Sequence, residues 1–218
     1  MAFRSTWGAV AGLGACIVVL LGAGVVGALT IEESTAAAGA GAGPAPAVEP
    51  GPPGPPIDLA AIVVGGPPGF DQIPDAGLRV GGTVDVERLA AERTDSDQAR
   101  EVFQETRLVS GFVRAWQKPS SAELVTVRLY QFADEAGAKS YAKRLTAAMA
   151  KAPATTFVVL AATDTVGIDT HVQQGANRLA FVFSRHGRVV AAIAAAVAPP
   201  LEEGVLAPLA RSQLSLLP

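Results

Sequence analysis

The sequence predicts an α+β fold, a mainly antiparallel sheet with helices packed on one face, preceded by an N-terminal transmembrane helix. Alternating apolar and polar residues over Phe112–Gln117 and Leu124–Phe132 predict two neighbouring strands. An apolar stripe at helical spacing comes directly after them and predicts a helix that Asp134 caps. A run of 23 residues without a charge, Trp7–Leu29, comes first in the chain. These patterns indicate one α+β domain behind a membrane segment.

The uncharged run is long enough to cross a membrane. At ~1.5 Å per residue a helix over Trp7–Leu29 reaches roughly 34 Å, against a hydrocarbon core of about 30 Å. Arg4 precedes the run, and Glu32 and Glu33 follow it. The positive-inside rule therefore predicts that residues 1–6 are cytoplasmic and that the C-terminal domain lies outside. The predicted topology is that of a single-pass protein of the cell membrane.

Other interpretations of this segment stay open. Val26-Gly27-Ala28 has small residues where a signal peptidase cuts, and cleavage after Ala28 would give a secreted protein. Leu13–Cys16 resembles a lipobox, although apolar residues continue beyond it. The uncleaved helix is favoured because the apolar run exceeds the about 7–15 residues usual in a signal peptide. Gly8 and Gly12 are four residues apart, a spacing that predicts a helix–helix contact and hence a homodimer.

An Ala/Gly/Pro-rich linker over residues 30–56 follows the membrane segment. Between Ser34 and Pro56, 19 of 23 residues are Ala, Gly or Pro, a composition that cannot build a core. Its proline-rich second half favours extended polyproline II and reaches roughly 40 Å at ~3.1 Å per residue. The linker is therefore interpreted as a spacer. Residues 57–218 remain, enough for one domain with a single core.

The predicted domain begins with a loop rich in Gly, Pro and Asp, followed by two helices. Asp85 caps the first helix, through Ala91, and Asp95 or Ser96 caps the second, through about Leu108. After the two strands, the next helix carries apolar residues three and four positions apart, which indicates one buried stripe. That stripe comprises Ala138, Tyr141, Ala142, Leu145 and Met149.

The C-terminal part of the domain is predicted to return to strands and to end in a helix. Leu179, Phe181 and Phe183 are expected to face the core, and the alanine-rich strand after them permits close packing of helices. The last helix, about Glu202–Leu216, is interrupted or restarted near Pro208. The four predicted strands are Thr156–Ala161, the weaker His171–Gln174, and the hairpin of Arg178–Arg185 with Arg188–Ala198.

The composition argues against several functions. The single cysteine, Cys16, lies in the membrane segment, so neither an intramolecular disulfide nor a cysteine-rich zinc site is expected. The sequence has no G-x-S-x-G motif and only two separated histidines, and we predict no catalytic residue, metal site or cofactor. A formal net charge of −3 does not favour nucleic acid as a partner. These observations favour a non-catalytic domain; the alternative is a cell-envelope enzyme with catalytic carboxylates far apart in sequence.

Four residues on the first two strands form the candidate binding site. Arg114 and Trp116 share a face of one strand, and Arg128 and Tyr130 share a face of the next. If the strands pair antiparallel, these side chains are expected on one side of the sheet. Arginine presents a planar fork to carboxylate or phosphate, and aromatic rings provide contact area. The alternative is an ordinary amphipathic face on which arginine stems cover apolar rings.

Three motifs carry a resemblance to known proteins: Gly65–Phe70 followed by Ile73-Pro74-Asp75, then Gly111–Trp116, then Tyr130–Ala138. With these motifs, abundant alanine and 13 arginines to 4 lysines, the chain resembles uncharacterised membrane-anchored or exported proteins of high-GC actinobacteria. The resemblance implies a location and no mechanism. The sequence thus predicts an extracytoplasmic domain that binds an envelope protein or a small anionic ligand. A further alternative is a structural or sensory domain that acts through dimerisation of its anchor.

Overall fold

The structure, a computed structural model, describes residues 54–78, 80–150, 155–160, 165–174, 177–198 and 205–218. For residues 149–150, 155–160 and 165–174 it describes the backbone. The predicted membrane helix with Gly8 and Gly12, the cleavage site at Ala28 and most of the linker lie outside the described residues. None of the helices within the described ranges is long and apolar enough to cross a membrane.

The described part of the chain alternates between strands and helices. Its strands are β1 (Asp71–Gln72), β2 (Gly82–Val84), β3 (Leu108–Gln117), β4 (Leu124–Phe132), β5 (Thr155–Leu160), β6 (Thr165–Gln174), β7 (Asn177–His186) and β8 (Val189–Val197). Its α-helices are α1 (Val86–Ala91), α2 (Ser96–Glu105), α3 (Glu135–Ala150) and α4 (Ala207–Leu216).

The strands form one antiparallel sheet, as the sequence predicts. The order across the sheet is β1-β3-β4-β8-β7-β6-β5, and β2 pairs with β3 on the same side as β1. The predicted hairpin is β7 and β8, which meet at a turn where Gly187 has φ +49°. A positive φ of this kind suits glycine because it has no Cβ to clash. The middle of the sheet is therefore β4 and β8, strands that are buried along their whole length.

Helices cover both faces of the sheet, so the prediction that they pack on one face is wrong. On one face α1, α2 and α3 bury Leu89, Phe103 and Tyr141 against the sheet. On the other, α4 buries Leu209 and Ala210. We refer to these as the α1–α3 face and the α4 face. The physical reason is that β8 is apolar at every position, and a strand with two apolar faces must be covered twice.

Aspartates begin three helices, as predicted. Oδ1 of Asp85 accepts from the Arg88 N–H at 2.8 Å, and Oδ1 of Asp95 accepts from the Gln98 N–H at 2.9 Å. Oδ1 of Asp134 accepts from the Gly137 N–H at 2.7 Å. Each bond satisfies an N–H that has no partner inside its helix. The three caps fix where α1, α2 and α3 start.

One predicted helix boundary and one predicted strand boundary shift. The second predicted helix ends at Glu105 and not near Leu108, because Arg107 takes φ +57° and turns the chain into β3. The start predicted for the last helix, Glu202, lies outside the described residues; Val205 and Leu206 are π-helical, and α4 starts at Ala207 with Pro208 in its first turn, where a restart is predicted. Proline suits that turn because the missing N–H would have no partner there. Of the C-terminal strands, β6 begins at Thr165, six residues before the predicted start at His171.

Candidate functional site

The four predicted binding residues lie on opposite faces of the sheet. β3 and β4 pair antiparallel as expected, with Arg114 opposite Val127 and Val113 opposite Arg128. Residues directly opposite in a sheet point to the same face, so Arg114 and Arg128 point to different faces. Trp116 packs on the α4 face and Tyr130 on the α1–α3 face. The expectation of one shared face is therefore wrong.

Arg128 is a paired, buried residue of the α1–α3 face. Its Nη1 donates to Oε2 of Glu92 at 2.5 Å, and the two residues are 3% and 7% exposed. Glu92 is the C-cap residue of α1, so this ion pair joins the end of the helix to the middle of β4. The carboxylate neutralises the guanidinium. Arg128 is therefore part of the core, and its charge is not available to a ligand.

Tyr130 lies beside this ion pair in an aromatic cluster. Its hydroxyl accepts a hydrogen bond from Nη2 of Arg93 at 3.0 Å. Its ring lies 5.3 Å from that of Tyr141, which also contacts Phe132 and Phe103. Burial, and then the neighbouring Tyr130, raise the pKa of Tyr141 above its usual value. Tyr130 therefore holds α1 and α3 to the sheet.

Trp116 is covered by the loop that follows residue 64. It is 2% exposed, and Gly66 lies against its indole ring. A Cβ on Gly66 would come within 2.4 Å of Cδ1 of Trp116, so only glycine permits this contact. Trp116 is thus a core residue of the α4 face.

Arg114 differs from the other three because its side chain has neither a hydrogen bond nor an ion pair among the described residues. The side chain is partly exposed, and its Nε is buried without a hydrogen bond. Cζ lies 4.9 Å from the centroid of the Phe112 ring, a cation–π contact. No ion pair reaches the guanidinium within the described part of the chain. Because a partly desolvated cation without a counter-charge is unfavourable, we expect an anion to bind at Arg114.

Two polar residues flank Arg114 along the edge of the sheet. Gln72 of β1 pairs with Trp116, and Thr83 of β2 pairs with Phe112. Both are exposed and point to the same face as Arg114. Diagonal neighbours in an antiparallel pair are about 7–8 Å apart, within reach of an arginine. We refer to Arg114, Phe112, Gln72 and Thr83 as the Arg114 notch.

Gln72 and Thr83 are not recognisable as site residues from the sequence, because Gln72 belongs to the stretch interpreted as a loop and Thr83 comes directly after it. β1 and β2 have two and three residues, too few to show an alternating pattern. Without them Arg114 would be placed on an open strand edge, with no polar neighbours. With them, the notch combines a fixed positive charge with an amide and a hydroxyl that both donate and accept hydrogen bonds.

An open cleft of about 790 Å³ lies at one end of the sheet. Asp134 in its wall is paired with Nη1 of Arg107 at 2.5 Å, and Nη2 of Arg188 donates to the Pro55 carbonyl at 2.8 Å. The carboxylate of Asp134 and the guanidinium of Arg188 thus serve the structure of the cleft walls. The lining residues are Gly54, Pro56, Ile57, Asp58, Ala61, Ile62, Ala133, Asp134, Glu135, Gly187, Arg188 and Pro218.

Metal-ligating residues do not cluster in the part of the chain that the structure describes. No three His, Cys, Asp or Glu side chains there are close enough to hold a metal ion. His186 is exposed in the β7–β8 turn, and its Nδ1 contacts the carbonyl oxygen of Pro218. Of the other candidates, Cys16 lies outside the described residues, and only the backbone of His171 is described.

The fold belongs to a class that includes an extracellular domain of an actinobacterial protein. That domain is the extracellular domain of PknH from Mycobacterium tuberculosis. The two superpose with a TM-score of 0.52 at 10% sequence identity, over 74% of this chain and 96% of that chain. At this identity the likeness shows the fold alone. No family model matches the chain, and the comparison with curated proteins gives no match.

Proposed function

We propose that this protein is a membrane-tethered, non-catalytic domain outside the cytoplasm that binds an anionic group of the cell envelope at the Arg114 notch. Two observations support the location. The sequence has an uncharged run, Trp7–Leu29, with a basic residue before it and acidic residues after it. The fold is also that of a domain described as extracellular. The linker over residues 30–56 would hold the domain away from the membrane surface.

The guanidinium of Arg114, which has no hydrogen bond or counter-charge among the described residues, carries the binding proposal. Leaving a partly buried charge without a partner costs free energy that the folded chain recovers only when an anion arrives. By contrast, Arg128 on the neighbouring strand has a counter-charge, because Glu92 forms an ion pair with it. In the part of the chain that the structure describes, Arg114 of β3 thus has no counter-charge, at a partly exposed position of the α4 face.

The chemistry of the notch selects carboxylate or phosphate groups. A guanidinium donates two parallel hydrogen bonds to either group, and such charge-assisted bonds are the strong ones. Gln72 and Thr83 can add donors from either side. The guanidinium lies over the Phe112 ring, and of its nitrogens only Nε is buried without a partner, so Nη1 and Nη2 remain for the ligand. An acidic side chain of an envelope protein and a free small anion would present the same group.

Binding is favoured over catalysis by the residue that the site is built on. A guanidinium has hydrogen-bond donors and no acceptor, so Arg114 is not suited to take up a proton from a substrate as a general base. Thr83 is the hydroxyl of the notch, and a threonine nucleophile needs an adjacent base. The notch as described offers charge and hydrogen bonds, which are the requirements of a binding site.

The test follows the emission of Trp116 while an anion is added to the full-length chain. Trp7 is replaced by phenylalanine, which leaves Trp116 as the only tryptophan, two residues from Arg114 on the same face. Phosphate or acetate is titrated at constant ionic strength kept with chloride. We expect a saturable change, weakened at least about tenfold in Arg114→Ala because a charged hydrogen bond contributes about 1.5–3 kcal/mol.

Matched variants separate the notch from the overall charge. Arg88→Ala removes the same charge from an exposed position of α1 and should leave the titration unchanged. Arg114→Lys keeps the charge and loses the planar fork, so its affinity should fall between those of the native chain and Arg114→Ala. Equal titrations for Arg114→Ala and the native chain, or no saturable change in the native chain, would rule out the notch as the binding site.

A further inference from the structure

The edge of the sheet beside the Arg114 notch is made of two short strands that lie end to end. β1 and β2 both pair antiparallel with β3, at Trp116–Gln117 and at Gly111–Val113. The segment that joins them packs on the α1–α3 face, where Val80 is buried and Leu78 is partly buried. Within the described part of the chain, neither strand has a further strand beyond it. β1 and β2 therefore form one interrupted edge strand.

The register shows which backbone groups of this edge point away from the sheet. The Ile73 N–H donates to the Ala115 carbonyl at 2.9 Å, so the backbone groups of Ala115 point towards β1. This direction alternates along an antiparallel strand, so the even-numbered residues of β3 bond to β4 instead. Gln72 and Thr83 lie opposite even-numbered residues, so their own N–H and C=O groups point outward. Among the described residues, these groups have no backbone hydrogen bond.

Arg114 lies midway between the two residues with outward backbone groups. Gln72 is opposite Trp116 and Thr83 is opposite Phe112, two residues to either side of Arg114. A strand added along this edge could bond to both, and its residue midway between them would point to the same face as Arg114. Neighbouring strands are about 4.8 Å apart, so that residue would lie about 10 Å from the Arg114 backbone. An arginine and a glutamate side chain together span this distance.

We propose that the partner at the Arg114 notch is an extended acidic peptide, a segment of an envelope protein that adds as a strand to this edge. The inference rests on the proposed function, because Arg114 supplies the charge that selects the peptide. Outward N–H and C=O groups are a template for another chain, and strand addition of this kind gives affinity through the main chain. A free anion would leave these groups of Gln72 and Thr83 unused.

The geometry also places the acidic residue within the peptide. Residues opposite Thr83 and Gln72 are the first and fifth of a five-residue segment, and the third residue is level with Arg114. The third position is the same whichever way the peptide runs. Charge complementarity therefore predicts a carboxylate at the centre of the bound segment.

The test compares a peptide with a free carboxylate on the same protein. The full-length Trp7→Phe chain is titrated with acetyl-Thr-Thr-Glu-Thr-Thr-amide and, separately, with acetate, while the emission of Trp116 is followed. We expect the peptide to bind at least about tenfold more tightly than acetate, because backbone hydrogen bonds add to the carboxylate contact. The same peptide with glutamine in place of glutamate should lose at least about tenfold in affinity.

A methylated peptide tests the backbone bonds without changing the protein. Methylating all five residue nitrogens removes the donors of the peptide and keeps its carboxylate, so this peptide should bind no more tightly than acetate. On the protein, Thr83→Pro removes the outward N–H, whereas Thr83→Ala removes only the hydroxyl. The ratio of peptide to acetate affinity should be about threefold or more lower in Thr83→Pro than in Thr83→Ala.

The outcomes separate this inference from the proposed function. A peptide that binds no more tightly than acetate, or a methylated peptide that binds as tightly as the unmodified one, would overturn the strand addition. If acetate still binds through Arg114 in that case, the proposed function stands. If neither the peptide nor acetate gives a saturable change, both are wrong.

Discussion

At the scale of single residues, two arginines on neighbouring strands differ in the face to which they point and in whether they have an ion pair. Arg128 points to the α1–α3 face and binds Glu92, whereas Arg114 points to the α4 face and has no partner among the described residues. Both belong to strands that the sequence predicts correctly. Their difference arises from the register of β3 and β4, since a shift of one residue would exchange their faces.

Arg128→Ala should destabilise the domain strongly, because it leaves the Glu92 carboxylate buried without a counter-charge. The expected loss is about 3–5 kcal/mol in the free energy of unfolding. The measurement is the urea midpoint of the full-length chain. Arg144→Ala breaks a solvent-exposed pair with Glu105 and should cost less than about 1 kcal/mol.

A double variant checks the cause of this loss. Arg128→Met with Glu92→Leu removes both charges and keeps apolar volume, so it should recover most of the stability that Arg128→Ala loses. If the double variant is as unstable as Arg128→Ala, the buried ion pair is not the reason for the loss.

At the scale of elements, the sequence predicts a helix reliably where a capping residue or an apolar stripe marks it. Asp85, Asp95 and Asp134 each cap a helix, and Tyr141 and Leu145 lie on the buried stripe of α3. Elements without such a signal were missed or displaced. β1 and β2 exist because they pair with β3, a contact between residues distant in sequence that no local pattern encodes.

The contact between α2 and α3 depends on a glycine. A Cβ at Gly137 would lie 2.1 Å from the carbonyl oxygen of Thr106, which is backbone and cannot move aside easily. We expect Gly137→Ala to destabilise the domain by about 1–3 kcal/mol despite alanine's higher helix propensity. The thermal midpoint of the full-length chain would show it.

Ser140→Ala is the matched control on the same helix. Ser140 is exposed, so the substitution tests helix propensity without the contact and should leave the domain equally or slightly more stable. A Gly137→Ala chain as stable as Ser140→Ala would mean that the helix can shift away from Thr106 at no cost.

At the scale of the whole molecule, the sheet is a layer covered on both sides. The sequence predicts an α+β fold with a mainly antiparallel sheet, and the structure confirms the antiparallel sheet with its helices. It does not predict that α4 and residues 55–64 cover the second face, since that face is assembled from residues distant from each other in sequence. Gln131 and Gln213 illustrate the difficulty, because each is a buried polar residue that accepts a hydrogen bond from a backbone N–H distant in sequence, that of Ile57 for Gln131 and that of Val64 for Gln213.

The binding site is predictable only in part, for the same reason. The arginines and aromatic residues of β3 and β4 predict the binding of an anion, and in our proposal Arg114 binds it. Trp116, Arg128 and Tyr130 belong to the two cores, and Gln72 and Thr83 take their place beside Arg114. Glu92, 36 residues away in sequence from Arg128, pairs with that arginine, whereas Arg114 has no ion pair among the described residues.

The location of the domain is the claim on which the proposed function depends, and thiol labelling in intact cells tests it most directly. Two single-cysteine chains are made in the full-length Cys16→Ala background, Glu101→Cys in the domain and Ser5→Cys in the N-terminal segment. We expect a membrane-impermeant maleimide to label Glu101→Cys in intact cells, and to label Ser5→Cys only after the membrane is opened. Labelling of Glu101→Cys only after the membrane is opened would contradict the account.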